Sequence, residues 1–157
     1  HGFTQQHGAA RFRVRRFVAR RSKTHGRGVF ATTLIPAGTR LIEYKGDIID
    51  EAESERRYPD TAHTFLFGLE DGRIIDGGSR GNTSRWINHS CEPNCEAVEE
   101  EGRVFIDAMR DIRPGEEISI DYSLDIDAEH TEELIREYAC GCGVEHCRGT
   151  LLALQAA

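Results

Sequence analysis

Hydrophobic positions along this chain recur mostly at short, alternating intervals, with little sign of helical spacing. Phe12, Val14 and Phe17-Val18 alternate with arginines, the pattern of a strand with one wet face. Gly26-Arg27-Gly28 and a short apolar run, Val29-Phe30-Ala31, come next. Ile35-Pro36-Ala37-Gly38 reads as a turn, since proline presets the dihedral its second position needs, and Thr39 to Tyr44 should follow as a strand. The same phrase returns when Ala108 to Gly115 ends in Ile112-Arg113-Pro114-Gly115 and Glu116 to Tyr122 continues as a strand. Two copies make a pair of similar strand-turn-strand units; they do not make a solenoid. Asp50 and Glu53 stand at capping-box spacing and predict a short helix to about Tyr58. Phe65 to Leu69, the turn Asp71-Gly72 and Arg73 to Asp76 read as a hairpin. Arg103 to Ala108 reads as another strand. A second helix is expected from Asp127 or Ala128 to about Tyr138, with Leu134, Ile135 and Tyr138 on its apolar side. The class is therefore mostly β or irregular α+β. The absence of βαβ alternation argues against a Rossmann-type methyltransferase or dehydrogenase.

Composition narrows this further. The chain has 157 residues, a length that suits one domain with one core. No apolar run reaches the roughly 18 residues that span a bilayer, and the N-terminus does not read as a secretory leader. Residues 1–10 are poor in apolar side chains and read as a disordered end or a cloning remnant, up to residue 11. The net charge of −7 conceals an asymmetry: residues 1–42 carry nine basic and no acidic side chains, and the other 115 residues carry 11 basic and 27 acidic ones. An acidic body suits a cationic partner, although a solvated acidic surface would look the same. Glu51, Glu53, Glu55, Asp60 and the run Glu99-Glu100-Glu101 are the carboxylates that would favour an Arg/Lys-rich target. The basic stretch Arg11 to Lys23 could anchor nucleic acid, but its alternation with Phe and Val suits an edge strand better, so direct nucleic-acid binding is disfavoured.

The cysteines are Cys91, Cys95, Cys140, Cys142 and Cys147. An odd number with no secretion signal argues against a disulfide framework and for a reducing, intracellular setting, cytoplasmic or nuclear. Three of them fall in Cys140-Gly-Cys142-Gly-Val-Glu-His-Cys147, where glycine turns let thiolates converge on a tetrahedral zinc. The spacing leaves the fourth ligand open among Cys91, Cys95 and His146. Arg85-Trp86-Ile87-Asn88-His89-Ser90-Cys91-Glu92-Pro93-Asn94-Cys95 packs more polar and metal-binding side chains together than a loop needs for local hydrogen bonds. Glu117-Ile118-Ser119-Ile120-Asp121-Tyr122 is an apolar strand ending in a tyrosine, which by itself reads as a core edge.

Taken in order, Gly-Arg-Gly-Val-Phe-Ala, Glu43-Tyr44-Lys45-Gly46, Gly81-Asn82 leading into Arg-Trp-Ile-Asn-His-Ser-Cys-Glu-Pro-Asn, Glu-Ile-Ser-Ile-Asp-Tyr and Cys-X-Cys-X4-Cys-Arg-Gly form a series. It resembles the SET-domain protein-lysine methyltransferases that carry a C-terminal post-SET zinc segment, over roughly residues 12–152. The resemblance implies small β-sheets with a knot-like threading around the Asn-His segment: a SET domain over 12–124 with an insert at 47–63, then a C-terminal helix and zinc-bound post-SET tail over 125–157. It implies S-adenosylmethionine in one cleft and a lysine channel opening on the opposite face. His25, Arg27, Gly28, Phe65, Arg85, Asn88 and His89 fall at cofactor positions. Phe65, Ile120, Tyr122 and Leu124 fall at the channel, with Tyr122 the active-site tyrosine. Cys91 would join Cys140, Cys142 and Cys147 around one structural zinc, with Cys95 the odd thiol and Leu151 or Leu152 a lid over the channel. Two positions depart from the family pattern. Phe65 stands where relatives often carry a tyrosine, and Ile120 stands where they place an aromatic that influences how many methyl groups are added. Losing both hydroxyls should permit di- or trimethylation of a lysine in a basic protein such as a histone or another DNA-associated protein. The competing reading is a SET-like module that binds protein or nucleic acid without catalysis.

Overall fold

The computed structural model describes residues 16–59, 65–122 and 131–153. Three small sheets carry the fold: β1 (Phe17–Arg21), β2 (Arg27–Ala31), β10 (Glu117–Ile120) and β7 (Asn88–His89) in that order; β3 (Arg40–Tyr44), β9 (Arg103–Ala108) and β8 (Cys95–Glu100); and β4 (Asp47–Ile49), β6 (Ile74–Asp76) and β5 (Leu66–Gly68). Helix α1 spans Glu51–Arg57 and α2 spans Glu132–Glu137, and a 3₁₀ turn lies at Thr83–Trp86. The mostly β expectation holds.

Period-two patterning explains which side chains go inside. In β9, Val104, Ile106 and Ala108 are buried while alternate residues face outward, and in β10 Ile118 and Ile120 do the same. They join Val29, Ala31, Ile35, Ile87, Cys95 and Ile112 in the main core. A smaller cluster of Tyr44, Leu69, Ile75 and Val104 lies under the third sheet.

The repeated phrase turns out to be an interlocked pair. Ile35 and Ile112, both fully buried, exchange reciprocal backbone bonds of 2.8 Å. Gly38 N–H donates to Ala108 O at 2.8 Å and Gly115 N–H to Ala31 O at 2.7 Å; the two glycines have φ of 82° and 89°, where a side chain would be strained. The strand after the first turn, β3, pairs with the strand before the second, β9, and the strand after the second, β10, pairs with the strand before the first, β2.

Some expectations need correction. Asp50 caps α1 by accepting from Glu53 N–H at 2.8 Å, but the Glu53 carboxylate does not return to the cap; it binds Arg56 and Arg57, because two guanidiniums outcompete one backbone amide. Strand β8 was not expected, since its wet face supplies the acidic run and masks the alternation. Glu100 is paired with Arg40 and Glu99 accepts from Glu70 N–H, so these two carboxylates are already engaged. Ile135 is 37% exposed, so it does not lie on a buried face of α2. The expected start of that helix, the strand residues Phe12 and Val14, and Asp60 fall outside the described residues. Among the described residues no helix is long and apolar enough to cross a membrane.

Candidate functional site

The chain brings four distant segments to one cleft of about 160 Å³, lined by Thr24, His25, Asn88, His89, Tyr122 and the tail residues Ala139 to Cys142 and Leu151. The placement follows from pairing. Strand β7 lies parallel to β10, with Asn88 opposite Ser119 and His89 opposite Ile120, so the Asn-His pair sits beside the strand that leads to Tyr122. Asn94 reinforces this. Its buried amide accepts from Ser119 N–H at 2.9 Å and donates to Glu117 O at 2.8 Å, standing in for a neighbouring strand.

Asn88 ties the first glycine loop to this strand. Its Nδ2 donates toward His25 O (3.1 Å), Arg27 O (2.9 Å) and Glu117 Oε2 (2.7 Å). Glu117 Oε1 in turn accepts from Ser22 Oγ at 2.7 Å. This carboxylate explains Gly28: a Cβ there would stand 2.3 Å from Glu117 Oε2 and 3.0 Å from Ser22 Cβ. Among the donors of Asn88, all point into the loop and Glu117, which leaves its Oδ1 as the acceptor.

His89 has its ring nitrogens sorted by their partners. Nδ1 accepts from Tyr122 N–H at 3.0 Å, so the proton belongs on Nε2, which lies 3.3 Å from Cys91 Sγ. Burial pushes its pKa down, against the raising effect of Asp121. The neutral ring this favours is the form that can accept at Nδ1. Tyr122 packs edge-on against His89 at 5.3 Å, and its Oη–H donates to Ile87 O at 2.5 Å. Burial first, then the Glu117 carboxylate, raises the Tyr122 pKa well above an ordinary phenol, so it is a neutral hydroxyl near neutral pH.

Arg27, Arg85 and Phe65 form a second group around Trp86. The guanidiniums of Arg85 and Arg27 lie 4.9 and 5.5 Å from the Trp86 ring centre, and Phe65 meets its edge at 5.3 Å. Phe65 O accepts from Tyr44 Oη at 2.6 Å and from Gly77 N–H at 2.9 Å. Trp86 and Tyr44 belong to this wall although neither was singled out from the sequence; both stand inside quoted motifs, the only signal they gave. Ile120 is buried in the main core, opposite His89 in the ladder and not among the residues lining the cleft. Leu124 and His63 fall outside the described residues.

The thiols of Cys91, Cys140, Cys142 and Cys147 all lie within 4.8 Å of one another, with Cys91 Sγ 3.9 Å from both Cys140 Sγ and Cys147 Sγ. A tetrahedral zinc with Zn–S near 2.3 Å needs sulfurs about 3.8 Å apart, so the donor set fits that ion. Backbone amides point at the sulfurs: Arg148 N–H at Cys91 (3.2 Å), Gly149 N–H at Cys147 (3.3 Å) and Cys142 N–H at Cys140 (3.4 Å). Burial raises the Cys140 and Cys91 pKa values, whereas at Cys142 backbone and thiol hydrogen bonds outweigh burial and bring it to about 7. A metal cation would hold all four as thiolates. His146 is exposed and outside this cluster, and Cys95 is buried in the core, where desolvation pushes its thiol up to about 12. Leu152 is fully buried, and Leu151 lines the cleft.

The glycine loop, the Asn-His strand, the tyrosine after β10 and the cysteine tail around one cleft define a class, and the chain belongs to it: the SET domain model matches residues 26–123, and this is a SET-domain protein. Relatives include the histone-lysine N-methyltransferase trithorax of Drosophila virilis, 38% identical over 136 residues that cover 82% of this chain and 3% of that protein. Histone-lysine N-methyltransferase 2B of Homo sapiens is 37% identical over 136 residues, 82% of this chain and 5% of the relative. The H3 lysine-4 specific histone-lysine N-methyltransferase of Mycosarcoma maydis is 33% identical over 147 residues, 88% of this chain and 10% of the relative. The chain thus spans a tenth or less of the length of these relatives.

Proposed function

We propose that the chain is an S-adenosylmethionine-dependent protein-lysine N-methyltransferase acting on a basic protein, with a histone the favoured substrate. The observation that carries this is the convergence of the first glycine loop, Asn88-His89, Tyr122 and the cysteine tail on one cleft. The relatives named histone-lysine N-methyltransferases support the substrate class. So does the acidic body of the chain, which suits an Arg/Lys-rich peptide. The peptide would lie extended between the segment 47–63 and the tail, adding a strand by backbone bonds. A reducing compartment, nucleus or cytoplasm, keeps the thiols available for metal.

When bound, S-adenosylmethionine supplies a methyl group on a cationic sulfur. His25 and Asn88 would hold its methionine end, the Asn88 Oδ1 accepting from the ammonium, and His89 its adenine side. Arg27, Gly28, Arg85 and Phe65 shape the wall, three of them through Trp86. Phe65, Ile120, Tyr122 and Leu124 would line the lysine channel. Transfer demands alignment and a neutral amine. A free lysine, with a pKa of about 10.4, is protonated at neutral pH, and a dry channel beside a cation lowers that value. The Tyr122 hydroxyl hydrogen is committed to Ile87 O, so its lone pairs are available to accept an amine N–H and aim the nitrogen at the methyl group. As a neutral phenol it orients the amine, and the lysine proton leaves to water. Zinc held by Cys91, Cys140, Cys142 and Cys147 would be structural, since four thiolates leave no open position.

Phe65 and Ile120 carry no hydroxyls to hold a partly methylated amine, which favours di- and trimethyllysine. The test is incubation of the zinc-loaded protein with labelled cofactor and core histones, with Tyr122→Phe as the blank, followed by mass spectrometry. Label on lysine, absent from the blank, with di- or trimethyl product is expected. Equal label in both proteins would refute the role of Tyr122, monomethyl product alone would refute the product assignment, and no label with no cofactor binding would favour a non-catalytic binding module.

A further inference from the structure

The pairing that positions β10 runs out just before the tyrosine. Its ladder with β7 ends at Ile120 opposite His89, and the last backbone bond is Ser90 N–H to Ile120 O at 3.0 Å. Asp121 and Tyr122 are held beyond that point by side chains. One arm is His89, whose Nδ1 takes the Tyr122 N–H while Nε2 faces Cys91 Sγ. The other arm is Arg148. Its backbone N–H donates to the same Cys91 Sγ at 3.2 Å, and its guanidinium forks onto Asp121 at 3.1 and 3.0 Å. The remaining guanidinium donor, Nε, binds Thr150 O at 3.2 Å, and the side chain is only 17% exposed. Cys91 is therefore the root of two arms that end on the consecutive residues Asp121 and Tyr122.

We infer that Arg148 and Asp121 form a latch through which the metal-bound tail sets the position of the Tyr122 phenol. This rests on the methyltransferase reading. A bidentate guanidinium–carboxylate pair fixes direction as well as distance, which a single ring hydrogen bond does not. The tail itself does not depend on the pair. It is closed on itself by Leu151 N–H and Thr150 Oγ1 on Tyr138 O at 2.8 and 3.0 Å and by the bridge between Ala139 and Thr150, and it is tied to the rest of the fold by Cys91, whose sulfur meets those of Cys140 and Cys147, with Leu152 buried. Removing the guanidinium takes the bidentate partner from Asp121, which keeps only the looser approach of His89 Nδ1 at 3.6 Å among its described ion pairs, and leaves Tyr122 held by His89 and Ile87 O alone, while the cleft wall stays in place. Arg148 is a positioning residue, acting on the amine only through Tyr122.

The test compares Arg148→Ala, Asp121→Ala, the double variant and Arg148→Lys in the zinc-loaded protein. Four quantities are measured: metal stoichiometry, S-adenosylhomocysteine affinity by calorimetry, kcat and KM on histone H3, and hydrogen–deuterium exchange over 118–122. Each alanine variant should keep one zinc and a cofactor analogue affinity within about threefold of the parent. Its kcat should fall by about 10- to 100-fold, the range a misplacement of an ångström produces. The double variant should lose no more than either single, because the two residues act as one unit, and exchange at the Tyr122 amide should quicken at least tenfold. Arg148→Lys, a point charge without the fork, should fall between. A kcat within twofold of the parent would overturn the latch, as would losses that multiply in the double variant, or a loss explained by departed zinc. If the parent transfers no methyl group to any lysine, the methyltransferase reading fails, and exchange at Tyr122 still decides the latch.

Discussion

Gly28→Ala is a small change whose effect can be worked out from distances. The new methyl group would stand 2.3 Å from Glu117 Oε2 and 2.9 Å from Glu117 Cδ, closer than van der Waals contact allows. The carboxylate must swing away, because Gly28 lies within β2 and its backbone is held by the sheet. Swinging breaks two bonds of 2.7 Å, from Ser22 Oγ and from Asn88 Nδ2. Hydrogen bonds to a charged group contribute about 1.5–3 kcal/mol each, and partial solvent access lets water replace some of this, so a combined cost of about 2–4 kcal/mol is expected. Part appears as stability, a drop in Tm of about 2–4 °C per kcal/mol for a chain of this size. The rest appears as weaker cofactor binding, since Asn88 loses one of the three acceptors that orient its amide. Calorimetry with S-adenosylhomocysteine and a thermal melt measure the two parts. Glu117→Ala removes the obstacle, so adding Gly28→Ala to it should cost less than about 0.5 kcal/mol more. If Gly28→Ala matches the parent in both assays, or if its cost adds in full to that of Glu117→Ala, the close approach is not the reason for glycine.

Tyr122→Phe should lower kcat by about 10²-fold or more, the scale for losing one oriented polar group at a reacting centre, while zinc content is unchanged; steady-state kinetics with metal analysis checks it. Chelation of zinc, or Cys142→Ser, should release the segment 131–153 while the three sheets persist, read as new proteolytic cuts confined to the tail with the β signature of circular dichroism retained. Arg56 and then Arg57 hold the Glu53 carboxylate at about 2 against an unfolded value of 4.5, and Ser79 and Arg80 lower that of Asp47. Their contribution to stability is therefore complete above about pH 4.5 and is lost as pH falls toward 2, so Tm should decline across that window and Glu53→Gln should flatten the decline.

Much of the site was legible because its residues cluster in the chain. The run from Arg85 to Cys95 and the cysteine tail announced themselves by chemistry, and their spacing survives in space as one cleft and one thiol cluster. Choosing Cys91 over Cys95 required the order of motifs; the physical reason is that Cys95 opens β8 and points into the core, while Cys91 sits on the turn after β7 facing the tail. What stayed hidden depends on partners far away in sequence. Asn94 stood in the Arg85–Cys95 run with no role of its own, yet its amide completes a sheet edge against β10. Arg148 stood in the Cys-Arg-Gly motif with no role of its own, yet it binds Asp121, 27 positions earlier. Strand β8 was obscured because glutamates on its wet face read as a charge run. The alternation of Phe and Val with Arg up to Val18 marked an edge strand, and among the described residues β1 stands at the edge of its sheet.

The interlocked turns also bear on how the molecule can be assembled. Each copy of the Ile-turn-Gly unit has its second strand completed by the first strand of the other, so neither half of the chain contains a finished sheet of the two that build the main core. β2 must wait for β10 and β3 for β9 before the central apolar side chains find cover, which places folding among slow, non-local topologies. A chain divided between Gly68 and Arg103 would yield two fragments with unpaired strand edges, insoluble apart and complementary when made together.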